Sequence, residues 1–324
     1  MCKSCLIIGL GNIGFGYDKN QNFKNFFLFS HAKSIKYHKK FNLVGGIDIS
    51  QKKRAEFKKK YCVPVFKDTK DAFNYIRPDI IIIATTTNTH LKILLEIVQI
   101  YKPSTIICEK PMSGNFQDAK KILEICTKNK IKLFVNYFRV SDPISLIIKK
   151  MVKNYKENKL IKINAWYSKG LINNGSHLLN LFQFIFGKVV SLDIIKSDIT
   201  KKKDLNPDIK IEFKKCIVVL RAAWGKNFSI LDFDMLSSKF RIVYENFGNT
   251  VKFQKIVKDK IFTGYTVLKN EKIIQNNLNT YQKKVYDELY KYFKKLRFNL
   301  CSGKDAVETF KIINYIIKKN KKKR

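Results

Sequence analysis

The sequence predicts an α/β Rossmann domain, a doubly wound parallel sheet, over residues 1–138, and an α+β domain with a largely antiparallel open sheet over 139–324. Three observations carry this expectation. A G-x-G-x-x-G turn at Gly9, Gly11 and Gly14 follows directly on the apolar run Leu6-Ile7-Ile8. Short apolar runs then alternate with amphipathic stretches to about residue 135, the rhythm of βαβ units. Beyond about residue 140 come longer strand-like segments with few helices between them, the texture of an antiparallel sheet. The chain of 324 residues is also long for one core.

In order, strands are expected at 6–8, 43–47, 80–84, 105–108 and 132–135; their apolarity is continuous, which suggests cover on both faces. Helices fit at about 51–60, 69–76, 90–101 and 115–129; in the last, Ala119, Ile122, Leu123 and Cys126 recur at helical spacing. The second half reads as strands at 159–168, 189–199, 209–223 and 228–244, a helix at 176–186, and closing helices at about 279–297 and 303–319. Val307, Phe310, Ile313 and Ile317 line one face of the last helix, so it is expected to dock on a domain. The lysine-rich run 318–324 reads as a solvated, frayed end.

Composition limits the function classes. No stretch reaches the ~18 to 20 apolar residues of a membrane span, and residues 1–8 lead straight into the glycine turn without a signal-peptide pattern. A cytoplasmic protein without membrane insertion is expected. The seven cysteines are scattered, which suits a reducing compartment. Cys2 and Cys5 form a C-x-x-C spacing without a second Cys or His pair, so no metal site is expected. The formal charge of +38 is spread along every segment and rises with Asn, Ile and Phe, the mark of A/T-rich codons drifting into tolerant surface positions. No nucleic-acid recognition motif accompanies it, and no nucleic-acid partner is expected. A field that steers an anionic cofactor or nucleotide-linked substrate is the functional alternative.

The glycine turn has a mechanical rationale. Residues without Cβ let the backbone approach a pyrophosphate, and a helix N-terminus behind the turn offers N–H groups and partial positive charge. Gly9, Gly11, Asn12, Ile13 and Gly14 are therefore candidate cofactor contacts. Asp48 ends the second strand, where a carboxylate can bond the ribose hydroxyls of NAD and repel the 2′-phosphate of NADP, or else simply cap the strand. NAD is the expected cofactor; Lys52, Lys53 and Arg54 keep NADP possible. Gly14 to Asp48 exceeds the usual ~20-residue interval, which implies an insertion within 16–30 and a helix resuming around 31–37.

The fourth strand ends in Ala84-Thr85-Thr86-Thr87-Asn88-Thr89-His90, the fifth in Cys108-Glu109-Lys110-Pro111, and Arg139 and Gly175-Ser176-His177 follow. In this order the chain resembles the Gfo/Idh/MocA family, the glucose-fructose oxidoreductase and inositol dehydrogenase relatives, with their A-T-P-x-x-x-H, E-K-P and G-x-H elements. The resemblance implies that Lys110 lies near the nicotinamide and the reacting carbon, with Glu109 and Pro111 shaping the turn that presents it. It implies that His177 takes the hydroxyl proton as hydride leaves, a role suited to an unperturbed pKa of ~6.5; a structural histidine capping the 176–186 helix is the other reading. Thr85, Thr86, Asn88 and His90 would flank the cofactor, while His31 and His38 match no catalytic position and read as structural or exposed.

Two positions depart from the family pattern. Asn173 and Asn180 stand where Asp is usual. An asparagine can orient an imidazole but supplies no negative charge. The expected substrate wall is Trp166, Tyr167, Lys169, Asn173 and Asn174, with Arg139 and His177 beside them, aromatic and donor groups suited to a polyhydroxylated ring; Trp166 could equally pack in a core. The arrangement resembles relatives of surface-polysaccharide sugar biosynthesis. The resemblance thus implies an NAD(P)-dependent oxidoreductase acting on a sugar, sugar nucleotide or cyclitol, self-associating through an exposed sheet face. The two asparagines motivate the rival, a catalytically weak NAD(H)-binding sensor or scaffold.

Overall fold

The computed structural model describes residues 2–20, 27–200 and 204–322, which divide into two compact units. The first comprises 1–142 with 279–310, the second 143–278 with 311–324.

The first unit runs β1 (Lys3–Ile8), α1 (His31–Tyr37), β2 (Phe41–Ile47), α2 (Gln51–Tyr61), β3 (Val65–Phe66), α3 (Thr69–Tyr75), β4 (Ile80–Ile83), α4 (His90–Ile100), β5 (Thr105–Cys108), α5 (Phe116–Lys128) and β6 (Lys132–Val135). Its six strands are parallel, in the order β3-β2-β1-β4-β5-β6. Asp68 and Asn115 start α3 and α5 by accepting the N–H of Asp71 and Asp118, leaving the apolar stripes of these helices to face the sheet. All four isoleucines of β4 are buried, as a strand covered on both faces requires. The short β3 is not evident in the sequence.

The second unit opens with α6 (Pro143–Asn154), followed by β7 (Ile161–Tyr167), α7 (Ser176–Phe186), β8 (Val189–Lys196), β9 (Asp208–Phe213), β10 (Cys216–Ala222), β11 (Leu231–Leu236), β12 (Phe240–Glu245), β13 (Thr250–Lys258) and β14 (Thr266–Gln275). These strands form one sheet, ordered β14-β13-β12-β11-β7-β10-β9-β8, antiparallel except where β10 meets β7. Alternate residues such as Ile163, Ala165 and Tyr167 share a core with Ile148, Leu178, Phe182 and Ile313. The expected strands 209–223 and 228–244 each fold as a hairpin, turning at 214–215 and 237–239. β13, β14 and α6 were not expected.

Two helices close the chain: α8 (Tyr281–Phe293) and α9 (Gly303–Lys322). Tyr286 and Leu289 of α8 join the core beside β1 and β2, so this helix groups with the first unit. The expected frayed end is corrected in part. Helix continues to Lys322 and Asn320 is fully buried, while 323–324 lie outside the described residues.

Candidate functional site

In the first unit, register puts Ile47, Ile8, Ile83, Cys108 and Val135 level with one another. The next residues, Asp48, Gly9, Ala84, Glu109 and Asn136, therefore leave the carboxyl edge of the sheet together, at the place where ligands of open α/β sheets bind. Gly9 has φ of +99°, and a Cβ there would come within 2.6 Å of the Ala84 backbone; at Gly14 a Cβ would meet the Gly9 carbonyl at 2.1 Å. At Gly11, by contrast, a Cβ would meet nothing within 4 Å. Among the described residues, the amides of Gly11, Asn12, Ile13 and Gly14 donate to no protein acceptor. Consecutive free amides beside an open glycine fit a phosphate-bearing cofactor.

Asp48 braces this turn. Its carboxylate accepts the Leu10 amide at 2.8 Å and the Ser50 amide at 2.9 Å, with Lys53 Nζ at 3.8 Å. Arg54 donates to the carbonyls of Asp48 and Ile49, at 2.7 and 3.0 Å. The guanidinium thereby fastens α2 to the end of β2.

The insertion has a definable seam. Phe15 N–H donates to Gly11 O as a first helical turn would, then the chain departs and returns at Ser30. His31 and Ala32 now donate to Ile13 O and Gly14 O, at 2.9 and 3.0 Å. These are bonds that residues four positions on would make in a continuous helix, but the separation is eighteen, so fourteen residues are inserted. Subtracting fourteen from the 34 positions between Gly14 and Asp48 leaves 20, the ordinary interval. Buried Asp18 holds the returning strand by accepting Phe29 N at 3.1 Å and Ser30 N at 2.6 Å. Residues 21–26 of the expected insertion lie outside the described residues.

The E-K-P turn rests on a buried polar chain. Asn136 Nδ2 donates to Glu109 Oε1 at 2.5 Å and to Gln282 Oε1 at 3.0 Å. Gln282 Nε2 consequently faces His31 Nδ1 at 3.1 Å, Tyr286 OH lies 2.8 Å from the same nitrogen, and His31 Nε2 reaches Glu109 Oε1 at 2.9 Å. Since a carboxylate only accepts, the amides orient one way and His31 Nε2 donates its proton to Glu109. Burial pushes the Glu109 pKa up, but the His31 hydrogen bond and charge, the Asn136 amide and the Lys110 charge outweigh it and hold the pKa below the usual carboxylate value. Glu109, expected at the cofactor, thus turns its carboxylate inward, while Lys110 is partly exposed and its peptide to Pro111 is cis. His31 is the residue that sequence reasoning missed here; its partners come from distant segments.

Thr85, Thr86 and Asn88 occupy the loop after β4, tied by Thr89 Oγ1, which donates to Thr86 O at 2.7 Å and lies 2.8 Å from the Thr85 hydroxyl. His90 opens α4, its ring between Thr85 O at 3.1 Å and Met112 O at 3.2 Å, so it links this loop to the E-K-P segment. Burial lowers its pKa despite these carbonyls and the Glu109 charge. Arg139 is buried, with its guanidinium 4.7 Å from the Phe138 ring centroid. His38 pairs with Asp287 at 3.2 Å.

In the second unit, a π-turn over Leu171–Gly175 leads into α7, whose second residue is buried His177. Asn180 is buried on the same helix. Lys169, Asn173 and Asn174 border the turn, and Asn173 Nδ2 donates to Lys169 O at 3.3 Å. Trp166 does not join them. It is 36% exposed, with the Arg221 guanidinium 5.9 Å from its ring, and alternates with Ala165 and Tyr167, which share the core of α7. Strand periodicity therefore puts Trp166 on the sheet face opposite the His177 helix, neither in that helix's surroundings nor in the core.

Residues 3–137 match the family model GFO_IDH_MocA, described as an oxidoreductase family with an NAD-binding Rossmann fold. Protein YteT of Bacillus subtilis is 30% identical over 136 residues, 39% of this chain and 31% of YteT. The myo-inositol 2-dehydrogenase of Thermotoga maritima is 26% identical over 149 residues, 46% of this chain and 40% of that enzyme. The matched segments thus span well under half of these relatives' own length. The WlbA dehydrogenase of Bordetella pertussis, solved with NADH and UDP-GlcNAcA, superposes with a TM-score of 0.75 at 12% identity over 99% of this chain and 97% of that one. An NAD binding oxidoreductase from Klebsiella pneumoniae gives 0.79 at 12% identity, over 100% of this chain and 98% of that one. These likenesses show that the two-domain fold is shared. Among the described residues, no helix is long and apolar enough to cross a membrane.

Proposed function

Because residues 3–137 match the family model of the Gfo/Idh/MocA oxidoreductases with its NAD-binding Rossmann fold, we propose that the chain is a dehydrogenase or reductase of a sugar, sugar nucleotide or cyclitol. The observation that carries this reading is the E-K-P turn, with Lys110 left at the surface while its neighbour Glu109 is anchored by His31 and Asn136. NAD, when bound, accepts or supplies the hydride. The amides of 11–14 would hold its phosphates, and Asp48 would face its ribose while keeping the Leu10 bond. Thr85, Thr86, Asn88 and His90 shape the adjoining loop. We assign Lys110 to binding and polarising the oxygen on the reacting carbon, and His177 to taking or returning the proton of that hydroxyl. Arg139, Lys169, Asn173 and Asn174 are the proposed substrate donors; Trp166 is withdrawn from this set. A sugar-nucleotide substrate has its support in the WlbA likeness alone.

Single substitutions test these roles. Lys110→Ala and His177→Ala are each expected to lower kcat by about 10²- to 10⁴-fold with the NAD dissociation constant little changed. Unchanged turnover in Lys110→Ala would remove the mechanism.

A further inference from the structure

The family pattern has an Asp at the position of Asn173, yet a carboxylate does reach this turn from another part of the chain. Asp204 Oδ1 accepts the Ile172 amide at 2.8 Å and Oδ2 accepts the Asn173 amide at 2.9 Å. Its neighbours continue the same lacing. Leu171 N donates to Leu205 O at 2.8 Å, and Gly170 N donates to Asn206 Oδ1 at 3.1 Å. Every amide from Gly170 to Asn173 is therefore satisfied by 204–206. Gly170 has φ of +96°, and a Cβ there would stand 2.0 Å from Asp204 Oδ2, so the close approach requires glycine.

The bracing segment is pinned in turn. Buried Asp198 accepts Asn206 N at 2.6 Å and Thr200 N at 2.8 Å through its two carboxylate oxygens. Asp198 N donates to Asn320 Oδ1 and Asn320 Nδ2 donates to Asp198 O, both at 2.9 Å. Asn320 belongs to α9, is fully buried, and sits among the lysines of 318–324. A hydrogen-bonded path thus runs from Asn320 of α9 through Asp198 to Asn206, and Asn206 together with Asp204, two residues before it in the chain, holds the turn that delivers His177, all within the second unit.

We propose that Asp204 and Asn320 are positioning residues for His177, Asp204 by fixing the amides of the turn that leads into α7, and Asn320 by pinning, through Asp198, the segment that carries Asp204. This rests on the reading of His177 given above. An amide turn fixed at four successive N–H groups has little freedom, and α7 starts immediately after it. Release of the carboxylate would let the imidazole drift, and displacements of ~1 Å at a reacting group cost on the order of 10²-fold in rate.

The test uses the full chain and the four histidines as spectroscopic probes. Asp204→Asn keeps the side-chain shape but replaces one acceptor with a donor; Asn320→Ala breaks the path farther away. In both variants the His177 imidazole ¹⁵N signals, assigned with His177→Ala, are expected to move while those of His31 and His90 stay. With the confirmed substrate, kcat should fall about 10- to 100-fold with the NAD dissociation constant within about twofold, and Asp204→Glu should recover part of it. If either variant proves unfolded, the other carries the comparison. Wild-type His177 signals in a folded Asp204→Asn, or full kcat there alongside an inactive His177→Ala, would overturn the proposal. If His177→Ala is itself fully active, the reading of His177 fails instead, and the imidazole signals still decide whether Asp204 positions the ring.

Discussion

Gly9 and Gly11 stand two positions apart in one motif but answer to different constraints. Gly9 is required by its own fold: φ of +99° and the Ala84 backbone leave no room for a side chain. Gly11 faces open space. Gly9→Ala is therefore expected to destabilise the protein by about 2 kcal/mol or more, read by denaturant unfolding. Gly11→Val should unfold within about 1 kcal/mol of wild type yet bind NAD at least ~10-fold more weakly, read by calorimetry. The spacing of the glycines was legible in the sequence; their separate reasons were not, because Ala84 is 75 positions away from Gly9. His31 makes the same point. Its Glu109 partner is 78 positions off, so the residue read as merely structural or exposed.

The Glu109 pair also sets a pH dependence. Its folded pKa lies below the unfolded value, so the folded carboxylate contributes stability above the unfolded pKa of about 4.3, and this is lost as pH falls through the lower folded value. His90 adds a second window. Its folded pKa is depressed below 6.5, so the unfolded chain binds the extra proton, and folded stability starts to fall once pH drops through about 6.5. His90→Asn is expected to flatten stability as pH falls below about 6.5, measured by urea unfolding at a series of pH values.

At the scale of elements, α1 is a helix cut after its first turn and resumed fourteen residues later. The excess interval between Gly14 and Asp48 revealed an insertion; the seam needed the bonds from His31 and Ala32 to Ile13 and Gly14. Asp18 anchors the insertion and lies near Lys33, whose pKa burial lowers while the Asp18 charge raises it. Asp18→Ala removes two amide bonds and the buried carboxylate at once, so a loss of about 3–5 kcal/mol is expected, read as a lower denaturation midpoint. The strands of the first sheet were legible because burial on both faces makes them continuously apolar. β14 was not: nearly all its residues are exposed, and lysines interrupt its apolar positions. Hairpin turns at 214–215 and 237–239 lack Gly or Pro, so each pair of strands looked like one.

Across the whole molecule, chain order and compact units do not coincide. α8 returns to the first unit, where Gln282 and Tyr286 complete the polar chain under Glu109, and α9 carries residues of both units. Motifs announce the elements that follow glycine turns and strand ends; nothing in an amphipathic helix states which core its stripe will meet. The same blindness misplaced Trp166, since alternation along β7 becomes visible only once the sheet has a covered face. The charge of +38 needs no groove of its own, because the phosphate contacts proposed above are backbone amides at 11–14.

The central claim is hydride transfer with NAD, and one assay meets it directly: the full chain against a panel of sugar nucleotides, sugars and inositols, with NAD and NADP in turn, followed at the nicotinamide absorbance band. Turnover of at least one panel member, faster with NAD and lost in both Lys110→Ala and His177→Ala, is the expected result. Tight NADH binding without turnover of any member would contradict it and leave a cofactor-binding sensor or scaffold in its place.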